Sequence, residues 1–225
     1  MGICPSLFKY FDGIQETRDM NNRDMETRDI EKGNMDNKNM DYNGIPEKDR
    51  IHRVDRKLAY KGSLMRIYDD TMELPDGRIS HWDFFDHKGG AAVVPVLEDG
   101  RILMVRQFRN ALDRDSLEIP AGAFDQQDED PMLCAARELE EETGYQSGSM
   151  EYLLTMDSMP AFTNEQVTIY LAKDLKPASM HLDDEEFLSV ERWALEDLLH
   201  MISSGKLSDS KTVCGILAYA LRLKL

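Results

Sequence analysis

A layered α+β domain is the fold class that this sequence predicts from about residue 51 onward, and three observations carry it. Short apolar, β-branched or aromatic runs recur between turn signals. Only three segments carry helix start and stop residues. A hydrophobic share of 41% in 225 residues suffices for the core of one sizeable domain or two small ones. Strands mixed with few helices point to an α+β or α/β/α layered arrangement.

Taken in order, "LAYKGSLMRIY" (58–68) and "RISHWDFFDH" (78–87) read as strands, with the turn signal "PDG" between them. "AAVVPVL", "EDG" and "RILMVRQF" (91–108) read as a hairpin or meander. The first helix is expected from Pro131 to Thr143. Asp130 precedes it, Pro131 takes the first position, where no N–H is needed, and Gly144 follows in the left-handed closing position. "EYLLTM" (151–156) and "QVTIYLA" (166–172) are two further strands, and "FLSVERWAL" (187–195) is a last strand running into a helix. A second helix is expected over about 194–204, stopping at Gly205, and a third over about 209–223.

Residues 1–50 read differently. From 16 to 45 the chain can be written in fives, with Met20, Met25, Ile30, Met35, Met40 and Ile45 in one phase. A period of five lines neither a helix face nor a strand face. The small residues that let solenoid coils stack are missing, so a polar, weakly ordered, low-complexity tail is expected. "MGICPS" fits the loose N-myristoylation pattern at Gly2 and Ser6, a short pattern that an ordinary N-terminus also matches.

The formal charge of −16 argues against a nucleic-acid-binding surface. No apolar run approaches the roughly 20 residues that cross a bilayer, and the N-terminus does not read as a secretory signal. Three scattered cysteines, Cys4, Cys134 and Cys214, suggest a reducing compartment, hence a cytoplasmic protein.

The chemistry is concentrated in "RELEEETG" (137–144). On the first helix Met132, Ala135, Ala136 and Leu139 make an apolar stripe. Glu138, Glu141 and Glu142 line another face near the C-terminal end, where the helix dipole already disfavours anions. Arg137 is the only nearby cation on the helix. Clustered carboxylates with a backbone carbonyl close by form an oxygen-rich site for a hard divalent cation, Mg²⁺ or Mn²⁺, which also bridges to phosphate oxygens.

The segment "GAFDQQDEDPMLCAARELEEETGY" (122–145) resembles the Nudix box, G-x5-E-x7-R-E-U-x-E-E-x-G-U. From Glu129 onward the match is complete. Upstream, six residues rather than five separate Gly122 from Glu129, so that Asp128 or Glu129 takes the outer acidic role. "VRQFRNALDRDSLEIPAG" (105–122) and "SMPAFTNEQVTIYLA" (158–172) are similar to the ADP-ribose pyrophosphatase subgroup, with Ala161 in place of its usual glycine. The resemblance covers roughly residues 55–220.

That resemblance implies a Nudix α/β/α sandwich with a mixed sheet over 51–225. It implies metal-dependent hydrolysis of a nucleoside diphosphate linked to a further group, here ADP-ribose or a related nucleotide sugar, giving AMP and a sugar phosphate. Metal ligands would be Glu138, Glu141 and Glu142 with the carbonyl of Ala121, and Arg137 would hold a glutamate in place. Arg109 would contact the diphosphate, Glu118 would lie near the metals, and Trp82 would be a base platform or a core or dimer contact. A carboxylate among Asp184, Glu185 and Glu186 would act as general base. The subgroup further implies a homodimer formed through strands of 57–86. A GDP-sugar or oxidised nucleoside diphosphate substrate, or a non-catalytic ADP-ribose sensor, are the alternatives.

Overall fold

The computed structural model describes residues 49–62, 65–126, 129–182 and 187–224, all within the unit Tyr42–Leu225. The five-residue repeats, Gly2, Asp128, Asp184, Glu185 and Glu186 lie outside the described residues.

Strands β1 (His52–Lys61), β2 (Arg66–Glu73) and β3 (Ile79–Asp86) form an antiparallel sheet in the order β1-β2-β3. The run 58–68, expected as one strand, is the corner of a hairpin: Gly62 N–H donates to the Met65 carbonyl over 2.8 Å and β1 pairs back onto β2. Without a side chain Gly62 adds nothing to a pleated surface, and folding back gives both arms backbone partners that a lone strand would lack. The turn between β2 and β3 is as read, with Gly77 at φ 82°, a conformation that glycine adopts without steric cost.

The domain core is built on a four-stranded sheet in the order β7-β4-β9-β8. Here β4 is Gly90–Pro95, β7 Ala121–Ala123, β8 Tyr145–Asp157 and β9 Gln166–Pro177. β4 runs parallel to β9 and antiparallel to β7, so the sheet is mixed. A second sheet, order β10-β5-β6, joins β5 (Ile102–Arg109), β6 (Arg114–Glu118) and β10 (Leu188–Trp193). The expected β4–β5 hairpin therefore exists only at its tip. Val96 and Ile102 make one antiparallel bridge, and then the strands part into different sheets. Both edges of β4 are already taken by β7 and β9, which leaves no edge for β5.

β4 is buried on both faces, and strand alternation sorts its side chains. Ala91 and Val93 pack with Cys134, Ala135 and Leu139 of helix α1 (Pro131–Thr143). Ala92 and Val94 pack on the other side with Leu198 of α2 (Leu195–Ser203), Ile216 of α3 (Ser210–Arg222) and Met104 of β5. This is the α/β/α layering. Among the described residues no helix is long and apolar enough to cross a membrane.

Helix α1 keeps its expected ends. The Asp130 side chain accepts from Met132 N–H, Pro131 opens the helix, and Gly144 closes it at φ 69°. Its buried stripe differs from the expected one: Met132 is 41% exposed, and Cys134, Ala135 and Leu139 are buried, with Glu142 beside them. Ala135 and Leu139 are shared by both stripes, but the buried face extends to Cys134 and on to Glu142 and Thr143, so that Glu142 turns inward. Accordingly, Leu139→Ala should cost roughly 2–5 kcal/mol in urea denaturation. Met132→Ala should stay within about 0.5 kcal/mol.

Candidate active site

Two charge centres meet where α1, β6, β7 and the start of α3 converge. The first surrounds Arg137. Its Nη1 donates to Glu138 Oε1 at 2.7 Å and to Glu141 Oε2 at 3.0 Å. Glu129 Oε1 lies 3.6 Å from Nη2 and Asp125 Oδ2 lies 3.7 Å from Nε. Four carboxylates thus share one guanidinium. Burial works against the Arg137 charge, yet Glu138 and Glu141 outweigh it and raise its pKa above the ordinary value. Among the described residues its buried Nε finds no hydrogen bond.

Glu142 is 2% exposed, and its Oε2 accepts the Ala121 N–H at 3.0 Å. Glu138 lies against the backbone of Gly122 so closely that a Cβ there would come within 1.9 Å of its Oε1. The Gly122 Cβ position is thus a cradle that only the carboxylate occupies. The loop before α1 is pinned at a second point, where Asp125 N–H donates to Glu129 Oε2 at 2.7 Å.

This donor set fits a hard divalent cation. Every candidate donor is a carboxylate or carbonyl oxygen, and the anions outnumber the one cation that holds them. Among the described residues no three acidic, histidine or cysteine side chains close into a finished cage. Glu138 and Glu141 are turned onto Arg137, and Glu142 onto the backbone.

The second centre is Glu118, 3% exposed at the end of β6. Arg109 grips both its oxygens, Nε to Oε1 at 2.9 Å and Nη2 to Oε2 at 2.7 Å. Lys211 Nζ donates to the same Oε2. Burial alone would push this carboxyl up. The Arg109 hydrogen bonds and the charges of Lys211 and Arg109 more than offset it and hold the pKa at about 2, against an ordinary 4.5. Arg109 is raised by its bonds to Glu118, and it also feels Glu142 and Asp209, which ties the two centres together.

The structure therefore brings together Arg109, Glu118, Ala121, Arg137, Glu138, Glu141 and Glu142. It does not bring Trp82 to them. That residue is half-exposed on β3, and its indole N–H donates to Ser80 of its own strand at 3.1 Å. The neighbouring ring of Phe84 is covered by the Arg56 guanidinium, 3.7 Å from its centroid, itself paired with Asp70. Arg106 lies on the opposite face of β5 and pairs with Glu191 of β10. Glu129 is an acid beside Arg137, while Asp128 lies outside the described residues.

Sequence reasoning missed Lys211 and its neighbours Asp209 and Thr212. An Asp three residues before a Thr at a helix start is a capping signal, but a lysine in a first turn reads as a solvated surface residue.

The NUDIX domain family model matches residues 86–213. A methanol dehydrogenase activator of Bacillus methanolicus is 36% identical over 159 residues, covering 70% of this chain and 85% of that protein. An ADP-ribose pyrophosphatase of Bacillus subtilis (strain 168) is 36% identical over 165 residues, covering 72% of this chain and 89% of its own. The crystal structure of an ADP compounds hydrolase superposes with a TM-score of 0.70 at 19% identity, over 78% of this chain and 95% of that one, a likeness of fold.

Because the folded pKa of Glu118 lies below its ordinary value, the stability it contributes is complete above about pH 5 and is lost as the pH falls toward about 2. Denaturation measured across that window should show stability declining with acid in the wild type. The decline should be shallower in Glu118→Gln.

Proposed function

The chain belongs to the NUDIX domain family, and on that footing we propose that it hydrolyses the pyrophosphate bond of ADP-ribose or a related nucleotide sugar with Mg²⁺ or Mn²⁺, releasing AMP and a sugar phosphate. One observation carries the reading: a half-exposed arginine, Arg109, is held beside a dense group of carboxylates that one guanidinium under-compensates. A binding site for an anionic diphosphate needs cations, and in a chain of formal charge −16 they must be supplied locally.

Glu138, Glu141 and Glu142, with the Ala121 carbonyl, would hold the divalent ion, whose chemistry is to neutralise the diphosphate and polarise its oxygens. Arg109 binds the diphosphate through the part of its guanidinium not committed to Glu118. Arg137 fixes Glu138 and Glu141 in one orientation, and the Ala121 N–H fixes Glu142. The attacking water loses its proton to a carboxylate among Asp184, Glu185 and Glu186 as one phosphorus–oxygen bond of the pyrophosphate breaks. The name of the Bacillus subtilis relative supports ADP-ribose as the first substrate to try.

Exposed apolar side chains on β1 support homodimerisation through the strands of 57–86. Val54, Leu58 and Tyr60 are each more than half exposed in this chain.

With Mg²⁺ and ADP-ribose the wild type should release AMP, and Glu142→Gln and Glu141→Gln should each lower kcat by at least ~100-fold. ADP-ribose binding without AMP release by the wild type would instead favour the sensor reading, and preferential turnover of GDP-mannose would move the substrate assignment. In light scattering after size exclusion the wild type should run at twice the monomer mass, and Leu58→Glu should run as a monomer.

A further inference from the structure

The described residues offer several features outside the carboxylate cluster. An open cavity of about 440 Å³ is lined by Arg106, Phe108, Asp115, Leu182, Phe187 and others, and the guanidinium of Arg106 is already paired with Glu191. Cys134 is buried, with its thiol pushed up to about 12 by desolvation, which removes it as a nucleophile. The start of α3 carries more.

Glu118 needs one good cation to be stable in its buried position, and the fork of Arg109 already satisfies both its oxygens. A second cation on Oε2 exceeds what neutralising this carboxylate requires. Lys211 is that cation: its side chain is 16% exposed, and it spans 93 residues of sequence to reach Glu118. It is itself held by Asp209 Oδ2 at 3.1 Å. The same Oδ2 caps α3 by accepting Thr212 N–H at 3.0 Å and the Thr212 hydroxyl at 2.6 Å. Thr212 Oγ1 in turn accepts the N–H of Ile119, the residue following Glu118, at 2.9 Å. Thr212 is fully buried. The first turn of α3 therefore grips β6 twice, once on the Glu118 side chain and once on the adjoining backbone.

We propose that Lys211, backed by the Asp209–Thr212 cap, is a positioning residue that fixes the Glu118 carboxylate and, through it, the orientation of Arg109 toward a bound diphosphate. This rests on the reading of Arg109 as the diphosphate contact. With Lys211 present the charges of Arg109, Lys211, Glu118 and Asp209 balance, and Arg109 is held by one edge. Without Lys211, Glu118 and Asp209 are set against Arg109 alone and leave the group net negative, which disfavours an anionic diphosphate.

The test compares Lys211→Met, Lys211→Arg and the exposed control Lys206→Met. With ADP-ribose as substrate, Lys211→Met should raise KM about 10-fold while kcat stays within about 3-fold, the pattern of lost binding shared by ground and transition states. Lys211→Arg should recover most of the loss, and Lys206→Met should match the wild type. In an Arg109→Met background Lys211→Met should add less than about 2-fold, because both changes remove one coupled contact. Independent multiplication of the two effects, or a Lys211→Met enzyme with wild-type KM, overturns the proposal.

A second measurement is independent of turnover. In ¹⁵N-arginine spectra the Arg109 Nε–H signal should shift in Lys211→Met and return in Lys211→Arg, and an unchanged signal overturns the proposal. A wild type that turns over no nucleotide diphosphate counts against the proposed function, and the spectra then decide the positioning claim. If Lys211→Met does not fold, Asp209→Asn, which keeps a capping residue, should move KM and the Arg109 signal in the same direction.

Discussion

Four carboxylates drawn around a single guanidinium are electrostatically expensive to assemble: Asp125 and Glu129 come from the loop before α1, and Glu138 and Glu141 from its C-terminal half, the less favourable end. The C-terminal part of a helix carries partial negative charge, so each acid there is disfavoured by about 0.3–1 kcal/mol before mutual repulsion is counted. Arg137 offsets part of this through Glu138, Glu141, Glu129 and Asp125. The hydrophobic layer supplies the rest: Cys134, Ala135 and Leu139 are buried against β4 and keep the helix in place whatever its charges prefer. Apolar burial on one side of α1 is thus what permits an acidic cluster on another.

The layering also decides how close the cluster comes to the backbone. β7 runs beside β4, and Gly90 of β4 leaves no room for a side chain because a Cβ there would sit 2.5 Å from the Gly122 carbonyl. Gly122 leaves none because Glu138 fills the place of its side chain. Two glycines on neighbouring strands let sheet and helix approach until carboxylate, N–H and carbonyl groups share one small volume. The Arg109–Glu118 pair joins that volume from the second sheet, with α3 behind it. The site is therefore the meeting point of both sheets and two helices, and no single element contains it.

What was legible in the sequence follows from which interactions are local. Both ends of α1 could be read because Asp130, Pro131 and Gly144 each act on their own backbone. The α2 and α3 boundaries came within a residue, the start of α3 for the same reason, through Asp209. The corner at Gly62 was missed because alternation continues on both sides of it. The parting of β4 from β5 was missed because it is decided by β7 and β9, which are distant in sequence. Arg137, Glu138, Glu141 and Glu142 stood out as a dense pattern within six residues. Lys211 did not, because its partner Glu118 lies 93 positions away and nothing in "SDSKT" points to it.

The two ends of helices used here are electrostatic opposites. Asp209 caps α3 at its positive end, where a carboxylate is favoured by the dipole and by the Thr212 N–H, so its charge stabilises the fold while it steadies Lys211. The α1 acids sit at a negative end, where charge opposes stability. A chain selected for stability alone would place its carboxylates as α3 does. Three of the four α1 acids, Glu138, Glu141 and Glu142, face Gly122, Arg137 and Ala121, while Glu140 accepts from Gln146, so most of the destabilising charge is confined to one spot. The physical sense of that confinement is a strong local field for a cation that neutralises it. The α3 cap, the Glu118 pair and the apolar layers keep the surrounding frame rigid enough to hold the field in one direction.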